Sequence, residues 1–367
     1  MKTFTYRFEN TSPLIDMSVF GNIDDLLFFD IETTGLSPSS SFIYMIGVGY
    51  YKDTSFNIVQ WFAENSLEES KILSDFYEFI DSFTSIIHFN GQMFDIPFVE
   101  KRSQKLKIEC PISEKQSFDI YKIIKPYKTI LGLQDLKQKT LESFLGINRD
   151  DLYSGGELIP VYKKYSMHPN AELLDLLLLH NKEDVFNMTN LLLILEYRRI
   201  SDIKFKYNNL SENIYKDYNN NENIELLITG TYELPFKNNI RSIKNNIYLN
   251  LSSKGTFSLR IPVINDELKY FFKDTSNYYY MPELDCAVHK SVASGVDKSR
   301  RKPANKNNCY IRTTDSFVQC SNYSNVKVFK KEPKSKECYC TCKEFLNLSD
   351  SEKSEYITQL IQYVFLK

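Results

Sequence analysis

Leu26-Leu27-Phe28-Phe29-Asp30-Ile31-Glu32-Thr33-Thr34-Gly35-Leu36 runs from four apolar residues directly into two acids separated by one position. A short apolar run of this kind reads as a buried strand. On a strand, residues i and i+2 share a face, so Asp30 and Glu32 point together and Ile31 points away. Carboxylates held this close repel unless a cation neutralises them, and hard divalent ions prefer carboxylate oxygen.

Working outward, residues 42–50 and 56–62 are rich in Ile, Val, Phe and Tyr and are separated by Lys52-Asp53-Thr54-Ser55, the pattern of a hairpin. Asn65 or Ser66 caps a predicted amphipathic helix that continues to about Phe83. A strand over Ser85–Phe89 follows, then a helix from Phe94. The spacing predicts a helix over Leu133–Phe144, between Gly132 and Gly146, and a long leucine-rich helix over Ala171–Tyr197. Strands followed by strand–helix alternation imply an α/β fold, a mixed sheet flanked by helices on both faces. Residues 208–223 are polar and read as a linker between a domain at 1–207 and one at 224–367. The second is expected to be a smaller β-rich α+β region, with strand-like stretches at Ile224–Leu234, Asn246–Val263 and Lys269–Met281. A basic loop at Ser294–Asn308 and a helix over Ser351–Leu366 complete it.

The chain has 367 residues, 42% hydrophobic and 25% charged, which fits two ordinary globular domains. No apolar h-region opens it, and the most apolar stretch, Leu173–Leu195, is broken by Asp175, His180, Lys182, Glu183 and Asp184. A soluble cytoplasmic protein with no membrane association is expected. The net charge of -2 conceals an asymmetry: residues 1–200 carry 20 basic against 28 acidic side chains, and residues 201–367 carry 25 against 19. Twelve basic and three acidic residues fall within Lys290–Lys336. An acidic half beside a basic one fits a metal-binding or catalytic module joined to a polyanion-holding one. Seven cysteines, an odd number, in a chain expected to lack a secretion signal make a disulfide framework a poor reading. Cys110 and Cys286 stand alone. Cys338-Tyr339-Cys340-Thr341-Cys342 lacks the C-x2-C spacing usual for zinc, and on a strand would line its thiols along one face, so structural Zn²⁺ at Cys338, Cys340 and Cys342 is not assigned.

Two further segments place acids at element ends. Asn90-Gly91-Gln92-Met93-Phe94-Asp95-Ile96-Pro97-Phe98 follows a strand and opens a helix, with Asn-Gly supplying the turn. His180-Asn181-Lys182-Glu183-Asp184 lies on a helix, where i and i+4 bring His180 and Asp184 to one face. Taken with Asp-Ile-Glu-Thr-Thr-Gly, these segments resemble the three motifs of the DEDD 3′–5′ exonucleases, which have a ribonuclease H-like fold. Within that superfamily the resemblance is to the YprB-type ribonuclease H-like domain, over residues 20–200. The third motif departs from the family pattern, Tyr-x3-Asp or His-x4-Asp, by placing His at the tyrosine spacing.

The resemblance implies a two-metal hydrolysis of phosphodiester bonds using Mg²⁺ or Mn²⁺ held by Asp30, Glu32, Asp95 and Asp184. His180 would orient or deprotonate the attacking water, for which an ordinary imidazole pKa of about 6.5 is suited. Thr33 and Asn90 would contact substrate, Thr33 at the 3′ end. Gly35 would let the backbone turn close to the substrate, and Leu36 would wedge against the terminal base. In the basic region Lys298, Arg300, Arg301 and Lys302, with Lys290 and Lys306 nearby, would follow a phosphate backbone, and Tyr278–Tyr280 would stack on bases unless the middle ring is packed in the core. The expected substrate is single-stranded DNA, with RNA the nearest alternative; a helicase or repair partner is compatible but unspecified. Two other readings are a non-catalytic nucleic-acid-binding protein that kept the fold, and a zinc-stabilised scaffold.

Overall fold

The computed structural model describes residues 1–216, 219–233, 236–321 and 325–366. Two compact units are present: residues 1–128 with 133–198, and residues 129–132 with 199–367.

In the first unit, strands β1 (Lys2–Phe8), β2 (Leu26–Thr33), β3 (Ile43–Lys52), β4 (Ser55–Phe62), β5 (Ser85–His88) and β6 (Gln116–Asp119) form one sheet in the order β1-β4-β3-β2-β5-β6. Neighbours among β1, β4, β3 and β2 are antiparallel, whereas β5 runs parallel to β2 and β6 parallel to β5. The helices are α1 (Glu69–Ile80), α2 (Asp95–Leu106), α3 (Ile120–Ile124), α4 (Gln138–Leu145), α5 (Gly155–Met167) and α6 (Ala171–Leu191). Strand β2 is buried on both faces because both are covered. Leu27, Phe29 and Ile31 pack with Ile72, Leu73 and Phe76 of α1 and Phe98 and Val99 of α2. On the opposite side of the sheet, Tyr44 and Phe62 pack with Leu158, Tyr162 and Tyr165 of α5 and Leu177 and Leu178 of α6. The first unit is the expected α/β fold, a mixed sheet flanked by helices on both faces.

Several boundaries differ from expectation, each for a local reason. Residues 133–137 are not helical: the Asp135 carboxylate accepts from the Lys137 N–H and Thr140 hydroxyl, holding the chain in a turn before α4. Helix α6 gives way to 3₁₀ geometry over Leu192–Ser201. Helix α5 carries Gly155, Gly156 and Pro160, which mask its helical pattern, and is started by a Ser154–Glu157 capping box.

In the second unit, β7 (Phe205–Lys216), β8 (Glu222–Tyr232), β9 (Ile240–Lys244), β10 (Ile247–Leu251), β11 (Thr256–Phe271), β15 (Tyr310–Cys320), β16 (Phe329–Lys330) and β17 (Cys338–Thr341) make an eight-stranded antiparallel sheet. The expected linker at 208–223 is therefore largely strand, with residues 217–218 outside the described ones. Its polarity reflects exposure, since most of β7 beyond Leu210 faces solvent and its inner partner β8 carries the buried residues. Leu234, at the end of one expected stretch, also lies outside the described residues. Strands β12 (Tyr278–Met281), β13 (Cys286–His289) and β14 (Lys302–Pro303) form a small separate sheet, with α7 (Lys290–Ala293) between β13 and β14. Helices α8 (Cys342–Leu346) and α9 (Asp350–Phe365) close the unit. No helix among the described residues is long and apolar enough to cross a membrane.

Candidate active site

Two acids on β2 are the starting point. Because Leu27, Phe29 and Ile31 turn toward α1 and α2, Asp30 and Glu32 turn toward α6, as the period of two requires. Asp30 lies opposite Gly47, and Gly47 opposite Gln60, in one row across three strands. Asn181 of α6 lies over that row: its Nδ2 donates to Asp30 Oδ2 at 2.8 Å, and its Oδ1 accepts from Gln60 Nε2 at 2.8 Å. A Cβ on residue 47 would fall 2.0 Å from Asn181 Oδ1, so glycine there makes the bridge possible.

Asp95 arrives by a different route. Strand β5 pairs with β2 only as far as Phe28, which leaves the Ile31 N–H available, and it donates to Asp95 Oδ1 at 3.2 Å. The turn that delivers Asp95 is tightly specified. Asn90 takes a left-handed φ of 61°, and its N–H donates to Asp119 Oδ1 at 2.9 Å. The Gly91 N–H donates to His88 Nδ1 at 3.0 Å, and a Cβ at Gly91 would sit 2.7 Å from that nitrogen. Burial holds His88 down at about 4, so it is a neutral structural acceptor.

The third segment brings charge of both signs. Ligand-type atoms of Glu32, His180 and Asp184 all lie within 4.8 Å of one another. His180 Nε2 is 3.5 Å from Glu32 Oε1 and 3.3 Å from Asp184 Oδ2, while Nδ1 meets Asp151 Oδ2 at 2.7 Å. Asp151, within the segment joining α4 to α5, was not legible as a site residue. It is buried, and it also receives Lys139 Nζ at 2.8 Å and Arg149 Nη2 at 3.1 Å. Arg149 in turn reaches Asp184 Oδ1 at 2.6 Å and Glu142 Oε1 at 3.1 Å. Glu183 fastens the same segment to α6 by accepting the N–H groups of Asp150 and Asp151 at 3.0 and 2.9 Å.

The electrostatics follow from this crowding. Burial, then the fields of Asp95, Asp184 and Glu32, push Asp30 well above the usual carboxylate range. Burial, with Asp184, Asp95 and Asp151 adding to it against His180, raises Glu32 to about 7; burial likewise raises Asp95 to about 7, against its backbone hydrogen bonds. For His180, burial opposes the charged ring, but Glu32, Asp151 and Asp184 outweigh it and raise the imidazole to about 9. The ordinary value expected from sequence is thus replaced by a protonated ring at neutral pH. Asp151 moves the other way: burial would raise it, but the hydrogen bonds from His180 and Lys139 hold it well below the carboxylate range. A divalent cation suits such a set, because buried oxygens that repel one another gain most from shared positive charge.

The remaining sequence-derived residues are placed less uniformly. The Thr33 hydroxyl donates to the Gly35 carbonyl at 2.9 Å, and Leu36 is 82% exposed on the loop that follows. In the second unit, Arg300 pairs with Glu283, and Arg301 donates to the Ala293 carbonyl and lies over the Tyr279 ring at 4.5 Å. Lys290 lies near the same ring at 5.4 Å, and Tyr278 stacks on Phe272 at 4.2 Å. These two arginines and two tyrosines therefore have intramolecular partners, whereas Lys298 and Lys302 are exposed. Cys338 and Cys340 are buried on β17 toward the hydroxyls of Tyr363 and Tyr356, at 3.8 and 3.5 Å, and Cys342 begins α8.

Residues 27–195 match the family model described as the RNase_H superfamily. Among solved structures the chain is similar to the family B DNA polymerase of the hyperthermophilic archaeon Pyrobaculum calidifontis, with 15% identity over 48% of this chain and 26% of that one and a TM-score of 0.38. It is also similar to E. coli ExoI in a zinc-bound complex with single-stranded DNA, with 12% identity over 56% of this chain and 54% of that one and a TM-score of 0.28. The chain thus spans about a quarter of the polymerase and about half of ExoI. No curated protein matches it in sequence.

Proposed function

We propose that this chain is a metal-dependent nuclease of the DEDD type that hydrolyses phosphodiester bonds from the 3′ end of single-stranded DNA. The observation that carries this reading is the meeting of Glu32, His180 and Asp184 within 4.8 Å, beside Asp30 and Asp95. Asp30, Glu32, Asp95 and Asp184 would hold two Mg²⁺ or Mn²⁺ ions. Such ions neutralise charge on a phosphoryl group and lower the pKa of bound water. His180, aimed by Asp151, presents Nε2 to the carboxylate cluster; cations held by Glu32 and Asp184 would offset the field that keeps the ring protonated, and the neutral ring would then be able to take a proton from water. Leu36 stands ready to meet a terminal base, and Thr33 fixes the turn that presents it. Seven free cysteines, four of them buried, accord with action in the reducing cytoplasm.

The test uses wild type and Asp30→Ala with 5′-labelled single-stranded DNA and RNA, in Mg²⁺, Mn²⁺ or EDTA. A metal-dependent ladder shortening from the 3′ end, absent in the variant, is expected on DNA. The same ladder on RNA alone transfers the reading to an RNA exonuclease. No cleavage of either substrate overturns it.

A further inference from the structure

The second unit holds a cavity of about 630 Å³ whose rim includes Lys244, Lys330, Lys334 and Lys336. Its local chemistry is one-sided. Lys244 is delivered by the β9–β10 hairpin, whose turn residues Asn245 and Asn246 have φ values of 52° and 60°, the left-handed pair of a tight hairpin. The other three lysines come from β16 and the segment leading to β17. Among the described residues none of the four ammonium groups has an acidic partner within 4.0 Å. Two of the nearby acids are paired with lysines outside the rim, and Glu337 in the wall leaves the lining at four positive charges to one negative. Glu332 takes Lys269 at 2.8 Å, Asp266 takes Lys331 at 3.2 Å, and Glu337, the acid in the cavity wall, accepts from the Tyr339 hydroxyl at 2.8 Å.

Four cations around one concavity repel one another. The last turn of α9 contributes Tyr363 and Val364 to the wall, and its carbonyl end supplies about half a negative charge. Most of the positive charge is left without compensation. A volume of several hundred Å³ admits a group of nucleotide size. Lysines offer point charges, without the planar fork by which arginine reads a base edge, and so suit phosphate irrespective of sequence.

We infer that this lysine-rimmed cavity is a binding site for the phosphodiester backbone of a nucleic-acid strand, distinct from the carboxylate site of the first unit and from the Lys298–Lys302 segment. The choice of nucleic acid among phosphate-bearing ligands rests on the nuclease reading above; the charge argument does not.

The experiment measures binding of fluorescein-labelled dT20 to full-length Asp30→Asn protein by anisotropy across a NaCl series. It is repeated after adding Lys334→Glu and Lys336→Glu, and with Lys298→Glu and Lys302→Glu as the comparison pair. The first pair is expected to weaken binding by about tenfold or more at low salt and to reduce the slope of log Kd against log salt by about 1.4, the value for two lost single-strand phosphate contacts. Unchanged affinity and slope overturn the proposal, as does absence of measurable binding by the Asp30→Asn protein. Equal affinity for polyglutamate and dT20 overturns the nucleic-acid assignment. Lys334→Ala with Lys336→Ala, at an unchanged melting temperature, should give a smaller loss in the same direction. Wild-type cleavage of dT20 with unchanged binding by the lysine variants removes the cavity alone. Wild type that neither cleaves nor binds removes the nuclease reading.

Discussion

Gly47→Ala tests the Asn181 bridge over the first unit's sheet. The added methyl would sit 2.0 Å from Asn181 Oδ1 and 2.7 Å from its Cγ, so the amide must leave its place above Asp30 and Gln60. Overpacking a tight interior by one methyl costs about 1–3 kcal/mol. Losing the two Asn181 hydrogen bonds, one of them to a carboxylate, adds about 1–3 kcal/mol. Together the loss is about 2–6 kcal/mol, or roughly 4–24 °C in melting temperature at about 2–4 °C per kcal/mol for a unit of this size. The discriminating assay is a double-mutant cycle with Asn181→Ala, read by urea unfolding in EDTA. Asn181→Ala removes the obstructing amide, so in that background Gly47→Ala should cost almost nothing, since alanine in a strand is otherwise preferred to glycine by about 0.5–1 kcal/mol. A coupling of about 2 kcal/mol or more is expected. Additivity within about 0.5 kcal/mol would refute the bridge.

Three further outcomes follow from the same geometry. Glu32 and Asp95, both raised to about 7, and His180, raised to about 9, bind protons more tightly in the folded state than in the unfolded one. In EDTA the melting temperature should therefore rise as pH falls from 9 toward 5.5, and excess Mn²⁺ should flatten that slope; stability that increases with pH in EDTA contradicts the assignment. Asp151, depressed instead, contributes stability that is lost only as pH falls through the acid range below that window. Asp151→Ala should slow hydrolysis about 10–100-fold, the usual effect of removing a partner that orients a site histidine, with Asp151→Glu recovering part of the rate; full activity in Asp151→Ala would show that His180 needs no such partner. Leu36→Ala, at a position 82% exposed, should leave stability within about 0.5 kcal/mol while lowering cleavage of single-stranded DNA, so a large melting shift would argue that Leu36 is packed rather than poised.

What could be read from the chain before folding, and what could not, divides by range. Asp30 and Glu32 were legible because an apolar strand ending on acids is a local pattern, and His180 with Asp184 because helical spacing is local too. Asp151 was not. It meets His180 from 29 positions away, and its own surroundings, Asn148-Arg149-Asp150-Asp151, read as a polar loop. Only the Ser154–Glu157 capping signature beside it hinted that the loop ends at a helix. Asn181 was hidden for a related reason: its role depends on Gly47 and Gln60 lying in register with Asp30. The polar composition of β7 gave the opposite error, since an exposed edge strand and a linker draw on the same residues.

Strand β11 has a consequence for the order in which the second unit can be completed. Its first half, Thr256–Val263, pairs with β8 and β10, segments already synthesised when β11 emerges. Its second half, Val263–Phe271, pairs with Tyr310–Val318, about forty residues further on. During synthesis the early half has its neighbours at once, while the late half waits with open hydrogen-bonding groups until β15 follows. A nascent chain paused or cut before Tyr310 would carry that half-strand as an unpaired edge, apolar at Ile264, Leu268 and Tyr270. Until Tyr310 has followed, that half-strand is the kind of unpaired apolar edge that invites aggregation, and anything shielding residues 263–271 would be needed only during that interval.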